Sequence, residues 1–427
     1  MANTIKVTNK VAKGVTAATV YYSVLANKLS SKYNSEFKNV VEKIGESINI
    51  RKSVLGTTRR NSFQFAAQDV YQPYVTLTVD QIFGYDLAFT QKDWDLYIVQ
   101  NNDVNGFLKA FVITQASVIS NQLDAWLHSK IMGEAYWTIG QYGLANSKQT
   151  ITAAKTILQK VGCPEDKLFG VLTPDANQDL VNTMVDMFNP NSDITDIYRK
   201  GFVSNFAGIP LYASNVSPER QDGTSMVGVV PTVTSVSAAA IATSGIYAET
   251  STIVMNGLVA GGTLTVGEVF TLSGANGAVK ALNMNTKDRT NLTQQFTVVT
   301  AVASTTSAAQ SVVIRPSIIT SGAYANMYVP EGTLSVIKHS DTSATRGSES
   351  LILHADAVEL AFPDLTVPDM VEESNSNIGA MASDPKSAVK MRFIRFFDGF
   401  TSTWNSRIDC YAGAKVVNDQ NIVRIRR

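Results

Sequence analysis

The sequence predicts an α+β fold into which a small β-domain, a barrel or a sandwich, is inserted. Three observations lead to this prediction. Residues 71–89 alternate between apolar and polar side chains over an unusual length, as long strands do. Residues 103–133 repeat apolar side chains at steps of three and four, which is typical of a long helix. A stretch of short alternating runs, poor in charge, then interrupts a region in which helices and strands alternate.

Residues 1–50 are predicted to form an N-terminal arm. Apolar side chains recur on one face of residues 15–30, which predicts a helix there. Residues 36–44 are a second helical candidate, and the alternation of residues 47–50 predicts a strand. Lysines precede the apolar stretch 15–26, but no small-residue cleavage site follows it. A helix of the mature chain is therefore favoured over a signal peptide.

Residues 51–70 are polar, basic and irregular, and we call them the excursion; the long alternating stretch follows them. Basic side chains of the excursion include Arg51, Lys52, Arg59 and Arg60. A strand of about fifteen residues would span about 50 Å at ~3.3 Å per residue. This is longer than a compact small domain needs.

Residues 90–148 hold the long helix. Its span of residues 103–133 corresponds to roughly 43 Å at 1.5 Å per residue, with Asp103 or a preceding asparagine as N-cap and Gly133 as its end. The aromatic side chains of this helix are expected in the core, and His128, beside Trp126, is expected to have a structural role.

Helices and strands alternate over residues 149–216, which predicts an α/β region, and this region resumes after about residue 345. Within it we predict two helices and two strands, at residues 152–161, 176–187, 168–172 and 209–213. Between the two parts, an inserted domain is predicted. Only six charged side chains occur from Pro231 to Gln310, and short alternating runs lie between glycine-rich turns. This pattern predicts a small barrel or a sandwich.

The last segment, residues 373–427, is predicted to form strands and a basic tail. Asp398 and Gly399 separate two apolar runs, which indicates a hairpin. Arg392 and Arg395 alternate with phenylalanines, as in a strand with one charged and one apolar face. The arginines of the tail are expected to be solvated; they are Arg424, Arg426 and Arg427.

Composition excludes several classes of protein. The 36 Lys and Arg residues balance the 36 Asp and Glu residues, and only 17% of residues are charged, against about 25% in an average soluble protein. Zero net charge argues against a basic nucleic-acid-binding protein and against an acidic disordered chain. Because net charge near zero promotes association, the chain is expected to associate. Cys163 and Cys410 are expected to be reduced thiols, and no apolar run reaches the ~20 residues of a membrane span.

No motif of catalysis or cofactor binding occurs. The phosphate-binding loop, the dinucleotide fingerprint, the metalloprotease helix and the hydrolase nucleophile elbow are all missing. The histidines His128, His339 and His354 are scattered, so neither a catalytic site nor a cofactor or histidine–cysteine metal site is predicted. Carboxylate-only cation sites stay open, although the pair Asp193 and Asp196 fits helix capping and solvation better.

Local sequence then points to a known family. The stretches that carry the resemblance are residues 24–29 (VLANKL), 43–48 (KIGESI), 201–203 (GFV), 208–212 (GIPLY), 266–274 (VGEVFTLSG) and 295–298 (QFTV). In their order along the chain they resemble the major capsid proteins of tailed bacteriophages with the HK97-type fold. More narrowly they are similar to the P22 coat protein family, whose members carry an extra β-barrel.

The resemblance assigns a role to each part of the chain. It implies an N-terminal arm (1–48), an E-loop with flanking strands (49–89), a P-domain (90–148) with spine helix (103–133), an A-domain (149–226 and 342–372), an insertion domain (227–341) and C-terminal P-domain strands with a tail (373–427).

The function implied is that of a major capsid protein, a structural protein without enzymatic activity or cofactor. It would self-assemble as hexamers and pentamers into an icosahedral head around double-stranded DNA, which it would contact only weakly. Scaffolding and portal proteins would be its partners, no membrane would be involved, and it would be located in the virion after assembly in the bacterial cytoplasm. The subunit-interface candidates are Arg51, Lys52, Arg59, Arg60, Phe63, Tyr71, Tyr74, Phe202, Phe206, Lys287, Asp288 and Arg289.

Two alternatives stay open at the level of sequence. The Ser/Thr-rich β-region would also suit a secreted adhesin or surface-layer protein, which would need a signal peptide. An enzyme with an unrecognised α/β site would need a pocket with perturbed titratable groups.

Overall fold

The computed structural model describes most of the chain in separate ranges. These are residues 23–33, 47–56, 72–90, 113–185, 205–237, 246–283, 285–304, 308–339, 346–365, 379–383 and 389–427, with single positions 13, 16, 17, 63 and 92. The chain divides into two compact units. The first comprises residues 1–49, 76–127 and 358–415, and the second comprises residues 50–75, 128–357 and 416–427.

Among the described residues strands are in the majority, and the four α-helices all lie before residue 186. The α-helices are α1 (Leu25–Lys28), α2 (Ile113–Glu134), α3 (Lys148–Val161) and α4 (Pro174–Val185). The first strands are β1 (Ser47–Arg51), β2 (Tyr74–Thr90), β3 (Trp137–Ile139), β4 (Leu168–Leu172), β5 (Asn205–Phe206), β6 (Ile209–Ala213), β7 (Arg220–Gln221), β8 (Thr232–Ser237), β9 (Ser251–Asn256), β10 (Gly262–Leu264), β11 (Val269–Gly274), β12 (Gly277–Ala278) and β13 (Lys280–Leu282). The remaining strands are β14 (Arg289–Thr293), β15 (Gln295–Val298), β16 (Val302–Ser304), β17 (Gln310–Arg315), β18 (Met327–Tyr328), β19 (Leu334–Lys338), β20 (Arg346–Gly347), β21 (Glu349–His354), β22 (Val358–Ala361), β23 (Gly379–Ser383), β24 (Lys390–Asp398), β25 (Thr403–Val416) and β26 (Ile422–Arg426).

The first unit is built on a sheet of long strands in the order β1-β2-β25-β24-β23, with β22 also paired to β25. The predicted long strand is confirmed as β2, a strand of 17 residues. It runs antiparallel to β25, with a register shift between Val79 and Gln81. Residues 342–372 were expected to belong to one α/β region. Their described strands instead join different sheets: β21 is part of the mixed sheet of the second unit, whereas β22 pairs with β25 in the first unit.

The N-terminal arm departs from its prediction. Thr16 and Ala17 are helical as predicted, but Ser23 and Val24 are not, and α1 starts after Val24 and ends at Lys28. The reason is the buried Asp124 of α2, whose carboxylate accepts hydrogen bonds from the Ser23 hydroxyl (2.8 Å) and from the N–H groups of Val24 (2.6 Å) and Ala26 (3.3 Å). A carboxylate distant in sequence thereby performs the task of an N-cap and fixes where α1 begins.

Helix α2 supports the prediction of a long helix. Its described residues reach Glu134, one residue past the predicted stop, while residues 103–112 of the prediction lie outside the described part. Ile119, Leu123 and Leu127 lie one turn apart and are buried, as the periodicity predicted. The predicted helical candidate at residues 36–44 also lies outside the described residues.

The second unit contains a mixed six-stranded sheet in the order β3-β26-β21-β4-β6-β5. Strand β21 is antiparallel to β26 and to β4, whereas the pairs β26–β3 and β4–β6 are parallel. Helix α3 buries Ile151, Ala154 and Leu158 in the core of this sheet. A capping box at Ser147 begins α3, and left-handed Gly162 (φ +89°) ends it.

The C-terminal residues contradict the expected solvated tail. Strand β26 is an internal strand of the mixed sheet, and the side chains of Arg424 and Arg426 are completely buried. Only Arg427 keeps partial exposure, about one third of its side chain. The apolar Ile422, Val423 and Ile425 carry the strand into the core, and buried carboxylates neutralise the two arginines.

The remaining strands of the second unit include a closed antiparallel barrel. Its order is β11-β15-β17-β9-β8-β19, and β19 pairs again with β11 to close the ring of six strands. The rings of Phe270 and Phe296 stack in its core at 5.9 Å between centroids. The choice between barrel and sandwich is thereby decided for the barrel. Strands β7 and β20 flank the barrel segment in sequence and pair with each other. The chain therefore enters and leaves the barrel segment at the same place.

Two small sheets complete the second unit among the described residues. Strands β14, β13 and β18 form one, and β10 and β16 form the other. Strand β15 ends at Val298, and β16 begins at Val302 in a different sheet.

Candidate subunit interface

The interface candidates of the basic excursion are only partly described. Arg51 is exposed at the end of β1, and Phe63 is fully exposed. Lys52 is half-buried, with its ammonium 3.8 Å from the ring centroid of Tyr247, and Tyr74 opens β2 half-buried. The candidates that lie outside the described residues are Arg59, Arg60, Tyr71 and Phe202.

The three charged candidates are consecutive: Lys287 and Asp288 lie in the turn between β13 and β14, and Arg289 begins β14. Lys287 adopts a left-handed backbone (φ +59°), and its ammonium donates to the carbonyl of Ala325 at 3.3 Å. Burial lowers the pKa of Lys287. The Arg289 guanidinium lies 3.4 Å above the ring of Tyr328. Both cations therefore contact their own chain, whereas Asp288 is exposed.

Phe206, the last aromatic candidate, is half-buried in β5. Its side chain packs against the core of the mixed sheet. Part of its apolar surface is therefore already covered within its own chain.

An exposed aromatic hairpin tip was missed by sequence reasoning. The side chains of Phe396 and Phe397 are about half exposed at the end of β24, and Phe400 in the following turn is fully exposed. The Asp398 carboxylate accepts hydrogen bonds from the Phe400 N–H (2.9 Å) and the Thr401 hydroxyl (2.7 Å), and the bond from Thr401 lowers the pKa of Asp398. The turn thus holds an aromatic side chain outward on an ordered scaffold.

A signal for this tip was present in the sequence. Two adjacent phenylalanines in a strand point to opposite faces, so at least one of them leaves the apolar face that the alternation assigned. We call Phe396, Phe397 and Phe400 the aromatic tip.

A buried ion network joins the mixed sheet to the base of the barrel. Glu349 of β21 accepts from the Tyr142 hydroxyl (2.5 Å) and from Arg424 (3.3 Å), and Arg426 lies 3.3 Å from it. Arg424 also donates to the carbonyl of Gly267, at 3.0 Å, in the turn that leads into β11. Burial alone would raise the pKa of Glu349, but the two arginines outweigh it and lower the pKa to about 2.

A second buried cation links α2 to the barrel. Arg315 of β17 pairs with Glu134 at the end of α2, with Glu249 at 2.6 Å, and more distantly with Asp419 at 4.0 Å. Burial raises the pKa of Asp419 although Arg315 and Lys52 oppose the shift. The long helix, the barrel and the segment before β26 therefore meet at one guanidinium.

One edge of the mixed sheet is closed by a side chain. The Gln295 amide accepts from the N–H of Thr138 (2.6 Å) and donates to the carbonyl of Thr138 (2.9 Å), as a neighbouring strand would. His339 contacts the next carbonyl, that of Gly140, at 3.3 Å. Because unpaired strand edges can recruit other chains, this closure makes β3 unavailable as a free edge.

The two cysteines and His128 are buried, and metal-ligating side chains do not cluster among the described residues. No group of three or more His, Cys, Asp or Glu side chains within them is placed to hold a metal ion. The expected free thiols are confirmed, and burial raises the pKa of Cys163 and of Cys410 to about 12. His128 is fully buried, and burial lowers its pKa to about 4. No helix in the described part of the chain is long and apolar enough to cross a membrane.

Comparison with known proteins gives matches only among solved structures. No family model and no curated protein matches the chain. A structure from Mycobacterium phage Che8 is similar at a TM-score of 0.46 and 12% identity, over 94% of this chain and 90% of that chain. The capsid of Ralstonia phage GP4 is similar at a TM-score of 0.45 and 7% identity, over 95% of this chain and 90% of that chain. The mature capsid of bacteriophage PhiM1 is similar at a TM-score of 0.42 and 9% identity, over 95% of this chain and 86% of that chain.

Proposed function

We propose that this chain is the major capsid protein of a tailed bacteriophage, with the HK97-type fold and of the P22 coat protein family. One observation carries the proposal: the closed six-stranded barrel lies between the paired strands β7 and β20, after a long strand and a long helix along the chain. This is the order of elements that the sequence resemblance implies. The function is structural, and no enzymatic step is part of it.

The parts of the fold then take the following roles. Helix α2 is the spine helix of the P-domain, to which the long strands β24 and β25 also belong. The mixed sheet is the core of the A-domain, and the barrel is the insertion domain of residues 227–341. The excursion between β1 and β2 is the E-loop, which overlaps a neighbouring subunit.

Assembly proceeds by binding alone. Many modest contacts are summed over several neighbours, and such interfaces can bury on the order of 2,000–5,000 Å². Contacts between unlike surfaces of identical subunits close into rings of five and six. The exposed aromatic tip is a candidate for one of these contacts, because exposed apolar side chains that cluster mark interaction sites.

The shell encloses double-stranded DNA without binding it tightly. The chain has 36 basic and 36 acidic residues, and tight DNA binding would require a surplus of cations. Scaffolding and portal proteins are the proposed partners during assembly in the bacterial cytoplasm, and the final location is the virion.

Expression of the full chain in the bacterial cytosol, followed by negative-stain electron microscopy, tests the proposal. We expect closed shells or curved sheets. Uniformly small monomers across a range of salt and protein concentrations would contradict it. A second arm excises residues 227–341 with a short linker, which should lower the folding yield. Assembly of the excised chain at the yield of the full chain would refute the role given to the insertion domain.

A further inference from the structure

The two ends of the excursion between β1 and β2 meet in the second unit. The N–H of Lys52 donates to the carbonyl of Pro73 at 2.8 Å, so the outgoing and returning chains are hydrogen-bonded. Tyr74 then forms a parallel bridge with Ile246, and the N–H of Tyr247 donates to the carbonyl of Tyr74 at 2.9 Å. The returning chain is therefore held by the segment that contains the barrel.

Two tyrosines of the same segment hold the outgoing chain. The Lys52 ammonium lies 3.8 Å from the ring centroid of Tyr247, a cation–π contact. The Tyr324 hydroxyl donates to the carbonyl of Ser53 (3.2 Å) and accepts from the N–H of Leu55 (3.4 Å). The two tyrosine rings meet edge to face with centroids 6.3 Å apart. Tyr324 is buried although it contacts a loop, as a residue with a structural task would be.

We propose that Tyr247 and Tyr324 are positioning residues: they clamp the base of the excursion by holding residues 52–55 and Tyr74 against the segment that contains the barrel. We call these two residues the tyrosine clamp. Both come from within residues 227–341, so the inserted segment acts on the part of the chain proposed to reach a neighbouring subunit. The ordering effect rests on contacts within one chain. Its consequence for shell geometry rests on the proposed function.

Limited proteolysis of the unassembled full chain tests the ordering effect. Arg59 and Arg60 provide trypsin sites inside the excursion, and cleavage of a transiently open segment follows the population of its open state. Tyr324→Phe removes the hydroxyl, and Tyr247→Leu removes the aromatic ring. We expect each to raise the rate of cleavage at Arg59 and Arg60 about fivefold, the effect of losing one interaction of ordinary strength.

Matched controls separate the clamp from general stability. Tyr247→Phe keeps the ring over Lys52 and should cleave within about twofold of the unsubstituted chain. Tyr328→Leu removes a more exposed tyrosine outside the clamp and should leave cleavage at these sites unchanged. Fragment masses identify the site, and thermal melting shows that each variant is folded.

Unchanged cleavage in the double variant Tyr247→Leu/Tyr324→Phe, with a native melting profile, would overturn the clamp. If the variants do not fold, hydrogen exchange in the unsubstituted chain tests the clamp instead. The amides of Lys52 and Leu55 should be protected from exchange, and unprotected amides would overturn the clamp. Shell assembly is scored separately. Failure of the unsubstituted chain to form shells refutes the proposed function, while the proteolysis result stands by itself.

Discussion

The guanidinium of Arg426 and the carboxylate of Asp222 form a bidentate ion pair inside the second unit. The two N–O distances are 2.7 and 3.1 Å, and both side chains are withdrawn from solvent. Parallel hydrogen bonds of this kind are among the stronger polar contacts in proteins. The pair fastens the last strand of the chain, β26, to the loop that follows β7, next to the barrel.

Replacing Arg426 by leucine should destabilise the protein strongly. The variant leaves Asp222 buried without its partner, and breaking a buried pair in this way costs about 3–5 kcal/mol. Urea unfolding monitored by tryptophan fluorescence measures the effect. Arg427→Leu is the matched control, because Arg427 also pairs with a carboxylate, Asp179, but keeps about a third of its side chain in solvent. Equal losses in the two variants would contradict the assigned role of burial.

The double variant Arg426→Leu/Asp222→Leu sharpens this test. With both charges gone, no buried ion stays unpaired, so part of the lost stability should return. A double variant no more stable than Arg426→Leu would indicate that the two residues act independently.

Glu349 should make the protein sensitive to acid. The pKa of Glu349 lies at about 2, below its ordinary value of 4.5. The folded state therefore keeps the ionised form at pH values where the unfolded state takes up a proton. The stabilisation is complete above about pH 4.5 and is lost as the pH falls toward about 2, a change on the order of 3 kcal/mol.

The variant Glu349→Gln isolates this contribution. It should be less stable than the unsubstituted chain at neutral pH, and the gap between the two should shrink between pH 5 and pH 2. Burial raises the pKa of Glu268 and of Asp419, so these groups contribute with the opposite sign. The comparison cancels them because both proteins contain them. A gap that does not change with pH would contradict the prediction.

Asp124→Ala should release the start of the arm in the first unit. The substitution removes the carboxylate that accepts hydrogen bonds from the Ser23 hydroxyl and from the Val24 and Ala26 amides. These three donors then lose this acceptor. We expect a loss of about 1–3 kcal/mol in unfolding free energy, and faster hydrogen exchange at the Val24 and Ala26 amides. Asn121→Ala, an exposed change on the same helix, should have little effect. Unchanged exchange in Asp124→Ala would show that packing alone holds α1.

Sequence periodicity located several regular elements because burial on one face leaves a repeat. The 17-residue strand β2, helix α3 and strand β4 are examples. The buried arginines of β26 were mistaken for a solvated tail, since their carboxylate partners lie about 75 and 204 positions earlier in the chain. The break before α1 was missed for the same reason, because its cap is a side chain of α2. Pairing across long sequence distances leaves no local pattern.

Phe400→Asp should weaken assembly without weakening the fold. The side chain is fully exposed, so the substitution removes no contact from the core, and surface changes of this kind usually alter stability by about 0.5 kcal/mol or less. On the proposed function, the aromatic tip contributes apolar contact to a neighbouring subunit, and a charge there would be buried at the interface without a partner. We expect a melting temperature close to that of the unsubstituted chain and a critical concentration for assembly at least tenfold higher. Phe400→Leu keeps an apolar side chain and should assemble nearly normally. If Phe400→Asp assembles as well as Phe400→Leu, the tip is not part of an interface.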